Sequence, residues 1–478
     1  MVAQELRNLT ARLSPSEYLT SEHPSFAKEV EPWSLDADLH PSLLVTPSTL
    51  ASLQDVVQYL YKTQLDFAIR TTGTGSSSAK DVILSLKGFK EFSFDASSET
   101  VTLGAGLAWG EVDQLLEKYA DGYAVVGARC PYVGVGGSTL VGGLSWLAHE
   151  YGLISDPQNM LDAHVVLNSG HAVWASSAPD LLWALRGGGG NFGVVTSFKL
   201  KAHRYTKSIF SGLLTIPYAN LSRVSAVVAN VAANNPDPKV AMHVFTMNGA
   251  LGFQEIGGER DIGILVYDAN GEEHARSEAG FKWALDMPGC VAQTGVMPLS
   301  QVHALALGTG ENHGKRVAFM SAPLISDVDE EFLVRAWKWR TDSLKASAAL
   351  AEDTFVLFEF MQENVFNSTR DRHATAWPHS GRKHVLQLGT GYSPSQASPE
   401  LKRLALQRLL AAAEEVAGPG KATGEYLPNF FTEAHDIPAV FGENWGELRR
   451  VKGKYDPLNR FNKGTLIPPA KSENSTRL

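Results

Sequence analysis

Two glycine-rich turns, Arg70-Thr-Thr-Gly-Thr-Gly75 and Cys130-Pro-Tyr-Val-Gly-Val-Gly-Gly137, hold the residue types that could cradle paired phosphates. A pyrophosphate needs several backbone N–H groups converging on it, and only residues without a Cβ let the chain come that close. The first turn sets the hydroxyls of Thr71, Thr72 and Thr74 among Gly73 and Gly75 and runs into Ser76. The second supplies Val133, Gly134, Gly136, Gly137 and Ser138, with Gly142 and Gly143 just beyond. Neither has the Gly-x-Gly-x-x-Gly spacing of a nucleotide-binding strand–helix turn. A glycine-rich turn alone is more often only a turn; the ordered pair carries the weight. Cys130 opens the second turn. Its thiolate is the reactive form, which neighbouring Arg129 and the adjacent amides would favour, and the alternative is a free cysteine packed as a small hydrophobe.

For acid–base work the sequence offers Glu359, in Thr354-Phe-Val-Leu-Phe-Glu-Phe-Met-Gln362. Strand alternation puts Phe355, Leu357, Glu359 and Met361 on one face and Val356, Phe358, Phe360 and Gln362 on the other. A carboxylate among apolar neighbours has its pKa raised toward a useful range, unless it reaches solvent or pairs with an arginine. His149 and His379 are weaker candidates, since a lone histidine is more often a hydrogen-bonded structural group. No Gly-x-Ser-x-Gly points to a serine hydrolase, and no His-x-Glu or Cys-x-x-Cys pattern to a metal site.

The elements that must position these groups read as α/β text from Pro41 onward. Residues 1–40 are polar and read as a lead-in arm. Thr49–Lys62 has helical spacing and is followed by a strand at Phe67–Ile69. Strand-like runs recur at Val82–Leu86 and Thr100–Leu103, and Trp109–Tyr119 reads as a helix. His164–Leu167 and His171–Ala175 form a hairpin around Asn168-Ser-Gly170. A helix at Asp180–Leu185 leads through Arg186-Gly-Gly-Gly-Gly-Asn-Phe-Gly193 into the strand Val194–Leu200. The stretch 206–425 mixes strands and amphipathic helices without glycine-rich loops, and the tail returns to aromatic and Asn-rich text.

At 478 residues the chain needs two or three domains. A net charge of −9 without a Lys/Arg block excludes nucleic acid as the expected partner. Its two cysteines suggest no disulfide framework. No apolar leader and no membrane-length run is visible, so an intracellular location is expected.

Taken together, Phe67-Ala-Ile-Arg-Thr-Thr-Gly, Gly104-Ala-Gly-Leu-Ala-Trp-Gly, Val125–Gly137, Tyr151-Gly-Leu-Ile-Ser-Asp156 and Trp183–Thr196 resemble the FAD-binding domain of the vanillyl-alcohol oxidase and p-cresol methylhydroxylase superfamily. The tail Phe441–Phe461 resembles the berberine-bridge segment of that superfamily. The resemblance implies an α+β fold. A split FAD-binding domain (41–205) follows an arm (1–40), then come a substrate domain with an antiparallel sheet under helices (206–425) and a returning C-terminal segment (426–478). It implies FAD as cofactor, held by Arg70, Thr71, Thr72, Gly73, Thr74, Gly75 and Ser76 in the first turn and by Val133, Gly134, Gly137, Ser138 and Gly142 in the second. Gly193, Val195 and Asn462 complete that set.

Many members tie the flavin through a histidine in the first turn and a cysteine in the second. Here Thr74 stands at the histidine's place, and no histidine occurs between His40 and His149. That leaves a single tether through Cys130, or none. The family's catalytic Tyr-x-Asn-Tyr has its counterpart in Tyr426-Leu-Pro-Asn-Phe430, which keeps Tyr426 and Asn429 but puts Phe430 or Phe431 where the second phenol belongs. A phenyl ring takes no proton. The implied activity is oxidation of a small, largely apolar metabolite of secondary metabolism by hydride transfer to the flavin, with O2 as electron acceptor. A redox-neutral cyclisation or isomerisation on the same scaffold is the alternative, and a non-catalytic binding protein the third reading.

Overall fold

The computed structural model describes residues 1–75, 77–246, 261–369, 371–430 and 434–470. Three sheets follow one another along the chain. The first comprises β1 (Tyr18–Thr20), β2 (Leu43–Val45), β3 (Phe67–Arg70) and β4 (Val82–Ser85), in the order β1-β2-β4-β3. β2 and β3 both run parallel to β4. The helix Leu50–Lys62 makes the crossover between them. Thr49 caps it by accepting the Ser52 N–H, and it buries Leu53, Val56, Val57 and Leu60. The lead-in arm, residues 1–40, carries short elements that its polar text does not announce. The helix Val2–Thr10 buries Leu9, and β1 pairs antiparallel with β2. A three-residue strand is too short to announce itself by alternation.

The second sheet comprises β5 (Phe92–Asp95), β6 (Thr100–Gly104), β7 (Tyr123–Val125), β8 (Met160–Val166), β9 (Ala172–Trp174) and β10 (Val194–Arg204). It is antiparallel, with β10 pairing β6, β7 and β8. β8 and β9 form the expected hairpin. Gly193, at φ +153°, lets β10 start against β8, where a Cβ would lie 2.8 Å from Val166 O.

The third sheet comprises β11 (Ile209–Ile216), β12 (Val240–Thr246), β13 (Ile262–Asp268), β14 (Val291–Met297), β15 (Val317–Ser321), β16 (Leu324–Ile325), β17 (Phe355–Phe360) and β18 (His384–Tyr392). It runs β14-β11-β13-β12-β17-β18-β15, with β16 on β18. Alternation gives it two unlike faces. Val244, Val356, Phe358, Phe360 and Leu386 pack with Val224 and Val228 of the helix Leu221–Asn234, Trp337 of Phe332–Ala346, and Leu409 of Pro399–Ala417. Leu213, Phe245, Leu265, Tyr267 and Phe355 instead share a cluster with Trp146, which follows the second glycine turn. The mixed fold, with helices on one face of an antiparallel sheet and the glycine-rich half on the other, is the architecture the family resemblance implied.

The C-terminal helix Trp445–Tyr455 is pinned to the glycine-rich half by a fully buried cation. Lys452 Nζ donates to Asn191 O at 2.9 Å, Phe461 O at 2.8 Å and Asp456 Oδ2 at 2.5 Å. Burial pulls the Lys452 pKa below its ordinary value against the pull of Asp456. Removing one member of such a pair strands the other in a dry environment. Lys452→Met is therefore expected to cost about 3 kcal/mol in urea unfolding. A loss below half of that would mean that the pair is not what fixes the tail.

Candidate functional site

The two glycine-rich turns meet. A Cβ added at Gly134 would collide with Thr71 Oγ1, and one at Gly136 would lie 2.6 Å from Thr71 Cγ2. Gly134 has an ordinary backbone conformation, φ −75°, so the requirement for glycine there is close approach rather than torsion. Gly73, at φ +87°, meets both demands, since a Cβ would also strike the Arg70 guanidinium. Arg70 itself folds behind the turn, with Nη2 donating to Glu31 O. None of the N–H groups of Thr71–Gly75 donates to another described residue.

Around the second turn four buried polar atoms find no partner among the described residues: Thr139 Oγ1, Ser155 Oγ, Asn191 Oδ1 and Asn429 Oδ1. Ser155 N–H donates to Gly142 O, and Gly189 N–H donates to Leu140 O, which draws the glycine run 187–190 to the same wall. Asn429 Oδ1 lies 3.6 Å from a Cβ placed on Gly142. Buried polar atoms left bare cost about 1–3 kcal/mol each. Free amides on one wall and the Thr139 and Ser155 hydroxyls on the other can donate to a phosphate-bearing group. The Asn191 and Asn429 amide oxygens can accept from hydroxyl or ring N–H groups, a donor and acceptor set that fits FAD. Gly75 and Gly137 face open space.

The remaining sequence candidates fall in several places. Ser138 Oγ accepts from Trp109 Nε1 and donates to Gly134 O, both at 2.8 Å, so it holds the wall from behind. The Val133 carbonyl accepts the Trp109 N–H. Val195 pairs with Val165 in the second sheet. Asn462 Nδ2 donates to Asn459 O within the tail, and nearby Thr465 comes within 3.9 Å of a Cβ on Gly189. Ser76 and Phe431 lie outside the described residues.

Cys130 is half-buried. Burial pushes its thiol up, and Arg129 offsets this only in part. The sequence expectation that Arg129 would favour the thiolate holds in sign but not in sum, because desolvation of the thiol outweighs the guanidinium and the Glu359 carboxylate adds to the rise. Tyr132 stacks on Trp33 of the N-terminal arm, with centroids 5.2 Å apart, and its hydroxyl is bonded to Thr309 Oγ1.

Glu359 is fully buried on the face of β17 turned toward Trp146, as the alternation required. Arg129 Nη2 donates to Oε1 at 2.7 Å and Nη1 lies 2.5 Å from Oε2. Desolvation raises the Glu359 pKa to about 7 even though Arg129 lowers it. Sequence reasoning posed a desolvated acid and an arginine-paired acid as alternatives; the site contains both. Directly across the ladder stands His243, with Nε2 3.7 Å from Glu359 Oε2. Its ring stacks on Trp146 at 4.2 Å, and Trp146 stacks in turn on Tyr267 at 5.0 Å. Burial holds His243 far below its ordinary pKa, so it is neutral. His243 and Trp146 were missed in the sequence. Alternation along β12 could have put His243 on a sheet face, but the cross-strand register was not readable.

His149 and His379 are held by structural hydrogen bonds. His149 Nδ1 accepts the Gln362 N–H at 3.3 Å, capping the end of β17. His379 lies 3.0 Å from both Trp377 O and Asp156 Oδ1. Tyr426 packs edge-on against His435 and bridges to Pro323 beside β16. Burial raises its phenol pKa. No hydrogen bond or ring contact joins it to Glu359 among the described residues. No helix among them is long and apolar enough to cross a membrane.

Residues 41–176 match the family described as FAD binding domain, and residues 430–468 match the family described as berberine and berberine like. The chain is 25% identical to an FAD-linked oxidoreductase of Dictyostelium discoideum over 91% of each chain. It is 30% identical to the FAD-dependent monooxygenase tpcD of Cochliobolus heterostrophus, over 90% of this chain and 84% of that one. Its fold superimposes on the solved structure of 6-hydroxy-D-nicotine oxidase from Arthrobacter nicotinovorans with a TM-score of 0.78 and 22% identity, covering 96% of this chain and 99% of the other.

Proposed function

The chain belongs to the FAD-linked oxidoreductases of the berberine-bridge type, and on that premise we propose that it oxidises a small, largely apolar metabolite of secondary metabolism, with O2 as the terminal electron acceptor. FAD, when bound, supplies the hydride-accepting ring. Thr71, Thr72, Gly73 and Thr74 on one wall and Gly134 and Gly137 on the other would hold its diphosphate. Asn429, Thr139 and Ser155 offer polar atoms to the same cleft. Cys130 is the position for a single covalent tether, with no histidyl partner.

The observation that carries the reading is Glu359, a dry carboxylate with a pKa of about 7. An acid–base group tuned near the working pH is best placed to take the proton that an alcohol or activated C–H gives up as its hydride leaves. The same sheet face carries Leu213, Phe245, Leu265 and Leu357, which suit an apolar ring system and offer a sugar few hydroxyl partners. Tyr426 and Asn429 would border the pocket from the C-terminal side.

Anaerobic mixing with a panel of aromatic and terpenoid alcohols tests the reading. Bleaching of the flavin by a turned-over substrate is the expected result. Product formed without bleaching and without oxygen uptake would replace oxidation by a redox-neutral cyclisation or isomerisation, in which Glu359 serves as the acid. For the tether, acid precipitation should leave the yellow colour in the wild-type pellet and release it from Cys130→Ala. Colour in the supernatant for both would remove the covalent bond from the account.

A further inference from the structure

Arg129 immediately precedes Cys130 on the second glycine turn, yet its guanidinium reaches across to β17 and straddles Glu359 like a fork, Nη2 donating a hydrogen bond to Oε1 and Nη1 in ion contact with Oε2. The arginine side chain is 15% exposed and the carboxylate 0%. A guanidinium that meets both oxygens, one through a charge-assisted hydrogen bond and the other through an ion contact, holds a carboxylate at two points as a single lysine contact does not. The other described groups around Glu359 supply no counter-charge. His243 on β12 is neutral by burial. His149 accepts the Gln362 N–H and His384 accepts the Met361 N–H through Nδ1, which leaves each ring uncharged. Burial takes both to a pKa of about 3. The Cys130 thiol is pushed toward its neutral form.

We propose that Arg129 is the positioning residue for the acid–base group: from the cofactor-bearing turn it sets the orientation and charge of Glu359 on the opposing sheet. One side chain thereby registers the cofactor wall to the substrate face. The inference rests on Glu359 acting as acid or base, and it adds a separable consequence. Without the fork the carboxylate remains in its dry site and takes up a proton more readily. A residue that merely held the fold would depress activity equally at every pH.

The test is the pH profile of kcat/KM for the holoenzyme, in wild type, Arg129→Met and Arg129→Lys. Flavin content is measured alongside. Loss of an opposite charge at this range moves a carboxyl pKa by about 1–3 units. The acid limb is therefore expected to move up by that amount in Arg129→Met while the high-pH plateau survives. Arg129→Lys, which keeps the charge but loses the fork, should fall between. Infrared difference spectra give a readout free of turnover: the protonated-carboxyl band that Glu359→Gln deletes should titrate at higher pH in Arg129→Lys than in wild type.

An unmoved limb and an unmoved band overturn the inference, as does a pH-independent loss of rate in a variant that keeps its flavin. A wild-type profile without an acid limb, or an active Glu359→Gln, overturns instead the assignment of Glu359. The two failures are therefore distinguishable.

Discussion

Glu359→Gln lowers turnover by about 10²–10⁴-fold while the protein keeps its flavin. The amide matches the carboxylate in size and still offers Arg129 one oxygen, so the fold and the cleft persist. What it cannot do is exchange a proton. The carboxylate is fully buried, and desolvation holds its pKa near 7, so the wild type should lose rate as the pH falls through that value and the base becomes protonated. The sign follows from the role: a base acts in its ionised form, which is depleted below the pKa. Glu359→Gln should abolish this limb along with most of the rate. Measuring kcat/KM between pH 5.5 and 9, roughly the span over which such a group titrates, decides the matter. A variant within threefold of wild type would place the chemistry elsewhere, with Tyr426 the next group to examine.

A branched side chain at the meeting point of the turns should empty the cofactor site. In Gly134→Val the first new carbon already overlaps Thr71 Oγ1, before the two methyls are added, and Thr72 Oγ1 lies only 3.0 Å away. The backbone torsion at Gly134 suits valine, so the penalty comes from forcing the walls apart. Overpacking of this kind costs about 1–3 kcal/mol. Placed on the loops that would bind the diphosphate, it should weaken FAD retention by about 10- to 100-fold. Far-UV circular dichroism should remain that of the wild type. The effect is read as FAD affinity in the Cys130→Ala background, where no tether holds the flavin, and an unchanged affinity there would mean that the contact between the turns does not shape the cofactor site.

The turns, the tail and the face of β17 were legible in the sequence for different reasons. The turns are local: glycines and hydroxyls close in sequence stay close in space, and the Thr71 to Gly134 contact brings together two segments that each announced themselves. Glu359 was legible because period-2 alternation is a property of one strand. Its partners were not. Arg129 lies 230 residues away and His243 belongs to another strand, so their convergence depends on sheet register and domain docking, which no local pattern encodes. The N-terminal arm was underread for a related reason. Trp33, Glu31 and Ser34 earn their places through contacts with Tyr132, Arg70 and Ala318, not through any periodicity of their own. Arg70 and Ser138 also make bonds that no local pattern announces, Arg70 Nη2 to Glu31 O and Ser138 Oγ to Gly134 O.

The most direct test is the flavin stoichiometry of the purified wild-type chain, read from its visible absorbance as isolated and again after incubation with FAD. Two flavin bands at one equivalent per chain are the expected result. A colourless protein that takes up no FAD on reconstitution would contradict it.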